Sequence, residues 1–171
     1  QSKNGKYITM NMSKYISALQ TTEIDRKRKD EDVLSDEETT VYRSALMKLA
    51  WPVRHVLPHL SYSVSFLASK VTEATVGDLK HLNSIIKEAK SADAQGQALI
   101  RFTPLDLENL LVVTPFDASF AKEEGMKSQS GFMSLLTDRR ILDGRAPAAL
   151  VEFQSARISR VVKSTMSAES A

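Results

Sequence analysis

Asp117 stands in Leu-Val-Val-Thr-Pro-Phe-Asp-Ala-Ser-Phe-Ala, an ionisable carboxylate set into a run that otherwise reads as a buried strand. An acid there has two readings. It ends the buried part of the strand and accepts backbone hydrogen bonds in the next turn, or it is a metal-binding carboxylate, held by a rigid strand and kept ionised by a hard cation such as Mg²⁺. Glu169 falls in the first turn of a final helix-compatible stretch, Ser-Thr-Met-Ser-Ala-Glu-Ser. A strand acid followed by a hairpin, a third strand and a helix acid can bring two carboxylates over one sheet face. Two-metal phosphoryl chemistry needs that arrangement of oxygen ligands on rigid elements. Arg157, Arg160 and Lys163 fall on the connection leading to Glu169. They are either plainly solvated or placed to hold phosphates beside the metal site, with salt-dependent affinity.

The elements that would position these residues follow from hydrophobic period and turn chemistry. Tyr7 to Met10 reads as a short strand running into helical turns from about Ser13 to Leu19. Arg26 to Lys29 are all basic and Asp30 to Asp32 all acidic, a mixed block that reads as a solvated linker rather than an RNA-gripping run. Ser35 with Glu38 is a capping box that opens a helix at about Asp36. Pro52 loosens or ends that helix, and Pro58 suits the first turn of a second, to about Val71. Thr75 and Asp78 cap a third helix to about Lys90, so that three amphipathic helices make a small bundle. Tyr42, Trp51, Tyr62 and Phe66 are expected in its core rather than as a stacking platform. Lys70, Lys80, Lys87 and Lys90 could track a nucleic-acid backbone. His55 and His59 sit four apart, but with Pro58 between them and no third ligand they read as helix-end histidines rather than a zinc site.

After Ser-Ala-Asp-Ala-Gln-Gly-Gln the period changes. Ala98–Phe102, Leu110–Ala121, Ser130–Asp138 and Ala149–Ser155 read as strands, with Gly-Met-Lys-Ser-Gln-Ser-Gly as hairpin chemistry. The expected class is α+β: a helical module, then a sheet.

Composition excludes several alternatives. The chain of 171 residues is 42% hydrophobic and 26% charged, which is globular rather than disordered, and a net charge of +2 leaves nucleic-acid binding to the placement of basic residues. The absence of cysteine removes disulfide frameworks and thiolate metal sites. No apolar stretch approaches a membrane span and no signal-peptide pattern opens the chain, so a soluble intracellular protein without membrane partners is expected. There is no Gly-rich phosphate loop and no Gly-x-Ser-x-Gly elbow. The chain begins at Gln1, and is read as an excerpt of a longer product.

Several ordered motifs carry a resemblance. Asp117-Ala118, Lys127 to Gly131, Phe153 with Ser155 and Arg157, and Ser164 to Glu169 are similar to the Asp-Ala strand start, Lys-Ser-x-Ser-Gly hairpin, aromatic-x-Ser-x-basic segment and Ser-Thr-x-x-Ala-Glu helix start of copia-type retrotransposon polyproteins. The region resembled is where the reverse transcriptase ends and its RNase H domain begins, from roughly Tyr7 onward. Leu57-Pro58-His59 stands where the family commonly has Arg-Pro-Asp, Phe153 where it has Trp, and Ser167 where it has an acid. The resemblance implies a palm-like end over 1–22, a charged linker over 23–37, a thumb- or connection-like helical module over 38–92 and a truncated RNase H-like mixed sheet over 98–171. It implies Asp117 and Glu169 as catalytic ligands of Mg²⁺ or Mn²⁺, with Ser155, Arg157, Arg160 and Lys163 contacting an RNA/DNA hybrid or template-primer. The parent would be an RNA-directed DNA polymerase with ribonuclease H activity, in a cytoplasmic particle or the nucleus, joined to the rest of its polyprotein. The excerpt, lacking the polymerase carboxylates and the later RNase H acids, would be inactive, and the strand missing beside Asp117 would leave an apolar edge prone to association. The alternative is a non-catalytic nucleic-acid-binding module or a degenerate retroelement remnant.

Overall fold

The structure, a computed structural model, describes residues 7–25, 27–123 and 127–158. The fold is α+β, and the chain forms two compact units. Asn11–Leu99 makes a helical unit, and the segments on either side of it make a β unit.

The helical unit holds α1 (Ser13–Ala18), α2 (Asp36–Val56), α3 (Ser61–Ser69) and α4 (Val76–Ala94), with a 3-10 turn at Pro58–Leu60 ahead of α3. The capping box at the start of α2 is complete: Glu38 N–H donates to the Ser35 hydroxyl, and Ser35 N–H donates to the Glu38 carboxylate at 2.8 Å. Tyr42, Leu46, Leu49, Val53 and Val56 then follow at helical spacing and are all buried. The Tyr42 hydroxyl donates to the Leu67 carbonyl at 3.0 Å, and its burial pushes its pKa up.

Pro52 does not end α2, which runs on to Val56. The proline lacks an N–H, but Val53 and Val56 lie on the core face just beyond it. Burying each contributes about 1.5–3 kcal/mol, enough to offset one lost hydrogen bond. The second predicted helix is shorter than Pro58 to Val71, because its first turn is 3-10 and α3 stops at Ser69.

Trp51 and Tyr62 are not core residues: they are 54% and 47% exposed, whereas Tyr42 is fully buried. The angular position explains the difference. Trp51 follows Tyr42 by nine residues, about half a turn out of phase at 100° per residue, so it lies on the face of α2 opposite the core stripe. There its ring meets His55 at 4.4 Å, and His55 Nδ1 lies 2.8 Å from the Trp51 carbonyl.

At the start of α4, Thr75 and Asp78 form a second complete capping box. The charged segment before α2 docks here, its side chains mostly exposed but its backbone tied down. Asp32 accepts from Val76 N–H and Asp30 from Gly77 N–H, both at 2.9 Å, and Val33 bridges Thr75. These carbonyls satisfy amides that a helix start leaves open. A Cβ on Gly77 would come within 3.2 Å of the Asp30 carbonyl, so glycine permits the approach. Replacing Thr75 by Ala removes one partner of this junction and should cost about 1 kcal/mol, read as a lower urea midpoint with unchanged m-value.

In the β unit, β1 (Ile8–Asn11) pairs with β2 (Leu99–Phe102), and the Arg101 guanidinium lies 4.6 Å over the Tyr7 ring. A separate sheet contains β3 (Leu110–Val113), β4 (Phe116–Glu123), β5 (Lys127–Asp138) and β6 (Ala148–Arg157). The long β5 is central, with β6 antiparallel along one side and β3 and β4 end to end along the other. The β3 and β4 register is continuous, since Val113 faces Leu135 and Phe116 faces Phe132. The break between them is at Pro115, which has no N–H to give the ladder, although its carbonyl still accepts from Met133 N–H. On β6 one extra residue, Val151, forms a bulge between the Ser134–Glu152 and Leu135–Leu150 pairs.

Asp138 closes β5. Its side chain is 1% exposed and takes two hydrogen bonds from the Arg140 guanidinium, with Arg140 N–H donating to the same carboxylate. Those bonds hold its pKa down, from 3.8 to about 2, against the opposing effect of burial. A carboxylate depressed in the folded state stabilises fully above its unfolded pKa and loses that contribution as pH falls through the folded value. Acid unfolding of the wild type should therefore steepen between about pH 4 and pH 2. In Asp138→Asn that increment disappears and stability at neutral pH is lower, as circular dichroism against pH would report.

Candidate metal and nucleic-acid site

The register fixes which residues share a sheet face, because directly opposed residues project their side chains to the same side. Asp117 faces Gly131, and Gly131 faces Ser155 on its other flank. The next row of the same face is Ser119, Gln129 and Arg157. Three of the residues singled out in the sequence, Asp117, Ser155 and Arg157, are thus brought to one face. Asp117 and Ser155 are two strand spacings apart, roughly 10 Å between backbones. Glu169, Arg160 and Lys163 lie outside the described residues.

Asp117 is the second residue of β4 and is exposed. The strand around it is not buried as its composition suggests. Phe116 is 67% exposed and Val112 66% exposed on the opposite face, and Val113 is 37% exposed on the face of Asp117. Among the described residues β3 and β4 pair only with β5, so their outer edge carries no strand. One oxygen of Asp117, Oδ1, accepts from Ala118 N–H at 2.9 Å. The other has no hydrogen bond among the described residues. An exposed carboxylate on a strand, with one oxygen oriented and the other available, fits the needs of a hard divalent cation. A second ligand would have to come from elsewhere: among the described residues no group of three or more His, Cys, Asp or Glu is clustered.

Gln129 is a residue that the sequence did not flag. It is 8% exposed, and its Nε2 donates to the Ser155 hydroxyl at 2.8 Å. The signal for it was its odd-numbered place in the Lys127 to Gly131 motif, but only the register with β6 reveals its partner.

Two of the four lysines of the helical unit considered for a nucleic-acid backbone are engaged within the unit. Lys80 pairs with Asp30, and Lys70 lies 3.7 Å from Asp78 and 4.7 Å over the Phe66 ring. No helix among the described residues is long and apolar enough to cross a membrane. Comparison of the chain with protein-family models, curated proteins and solved structures finds no match to any.

Proposed function

We propose that the chain is part of a copia-like retroelement polyprotein whose parent hydrolyses the RNA strand of RNA/DNA hybrids during reverse transcription. The observation that carries this reading is the exposed Asp117 near the start of the first of three consecutive antiparallel strands, β4, β5 and β6, with Ser155 and Arg157 on the same face. That order of strands agrees with the motif order in the sequence.

In this reading Asp117 and Glu169 hold Mg²⁺ or Mn²⁺, which supplies activation of water and neutralisation of charge on the scissile phosphate. The chain's own residues bind and orient. Asp117 fixes one ligand oxygen through its bond to Ala118 N–H, and Ser155 and Arg157, with Arg160 and Lys163, bear on the sugar–phosphate backbone. The helical unit serves as the thumb or connection that holds template-primer, and the protein works inside the cell with the rest of its polyprotein. The isolated chain is inactive, because two carboxylates do not fix two metals in the required geometry.

The test is direct. With a labelled RNA/DNA duplex and Mg²⁺, the parent polyprotein shortens the RNA strand and leaves the DNA strand intact, and EDTA stops it. Cleavage of neither strand by a folded parent, or equal cleavage with EDTA, contradicts the reading.

A further inference from the structure

Gly131 occupies the middle of the central strand, where glycine is unfavourable because it loses most backbone freedom and packs no side chain. Nothing in the described structure requires it. Its φ is not among the positive ones, which are confined to Gly96 and Gly144, and a Cβ built on it meets only the Gln154 carbonyl at 3.6 Å, an ordinary contact. The missing side chain leaves a trough on the sheet face, walled by Asp117 on one strand and Ser155 on the other. Gln129 gives the second wall a fixed polarity: its amide donates to Ser155 Oγ, so the serine proton is left to donate outward, and among the described residues it has no acceptor.

We infer that the row Asp117–Gly131–Ser155 is a bed for one sugar–phosphate backbone of the bound nucleic acid, with Gln129 as the residue that positions Ser155 to donate to it. The inference rests on the proposed function for the identity of the ligand, but not on the metal. A backbone crossing the trough passes close to the β5 main chain, which a side chain at 131 would prevent. Ser155 offers a neutral donor and Arg157, one row along, a cationic one, while the carboxylate of Asp117 borders the opposite side.

The experiment uses the full chain and a fluorescein-labelled RNA/DNA hybrid in EDTA, read by anisotropy. Gly131→Val, which places a good strand former over the trough, should weaken binding about tenfold or more while leaving the melting temperature unchanged or higher. Gln154→Val, on the other face of the sheet, should bind as the wild type. Gln129→Leu and Ser155→Ala should each weaken binding about threefold, and the double variant no further, because one acts through the other. The inference is overturned if Gly131→Val binds as well as the wild type, if the wild type does not bind the hybrid, or if Gly131→Val lowers the melting temperature, which would assign the space to the fold itself. Asp117→Asn keeps the two claims apart: metal-independent binding that falls in Gly131→Val supports the bed even where Mg²⁺ dependence is unaltered in Asp117→Asn, an outcome that would sink only the metal reading.

Discussion

Asp117→Asn in the parent polyprotein should reduce Mg²⁺-dependent cleavage of the hybrid's RNA strand by about 10³-fold or more. The substitution keeps shape and removes the charge that would hold the cation. Because Asp117 is exposed and bonds only to the amide next to it, Asn can keep that bond, and stability should stay within about 0.5 kcal/mol of wild type. Steady-state cleavage assays and a denaturant melt on the same preparation separate the two effects. A variant that is equally stable and fully active would remove Asp117 from the chemistry.

The largest structural effect is expected at Leu46. It is fully buried in the stripe of α2 that includes Tyr42 and Leu49. Leu46→Ala deletes buried methyl groups and leaves a cavity, at a cost of about 3 kcal/mol within a usual range of 2–5. Against a total stability of roughly 5–15 kcal/mol that is a large fraction. Its neighbour Met47 is 54% exposed, and Met47→Ala should change stability by no more than about 0.5 kcal/mol. Urea titrations of the pair, compared at constant m-value, test whether α2 buries the face described. Equal losses for the two would contradict it.

Local signals read well where one short motif decides the structure. Both capping boxes, Ser35 with Glu38 and Thr75 with Asp78, open helices where their side chains reach back to free amides. Signals that depend on packing read less well. Pro52 resembles a terminator, but burial of the residues after it outweighs its missing donor. Trp51 is apolar and was expected inside, yet its phase on the helix sends it outward. The run from Leu110 to Ala121 reads as a single strand, and its pairing is indeed on one register, although Pro115 divides the ladder.

The candidate site was legible as residue types and not as rows. Asp117, Ser155 and Arg157 stand out by chemistry and spacing. Their common face depends on the pairing of Gly131 with both neighbours, and the bulge at Val151 shifts the β6 pairing along the sheet, an offset the sequence does not signal. Gln129 was passed over for the same reason, since its hydrogen bond to Ser155 spans 26 residues.

The central claim is that Asp117 is a divalent-metal ligand on the face it shares with Gly131 and Ser155. Titrating Mn²⁺ into the ¹⁵N-labelled chain measures this directly, through paramagnetic broadening of nearby amides. Broadening should begin at Asp117 and Ala118, reach Gly131 next and Ser155 after it, in the order of their strand spacings, and vanish from this row in Asp117→Asn. Broadening that starts at another acidic site, such as Asp30 and Asp32, and persists unchanged in Asp117→Asn would contradict the account.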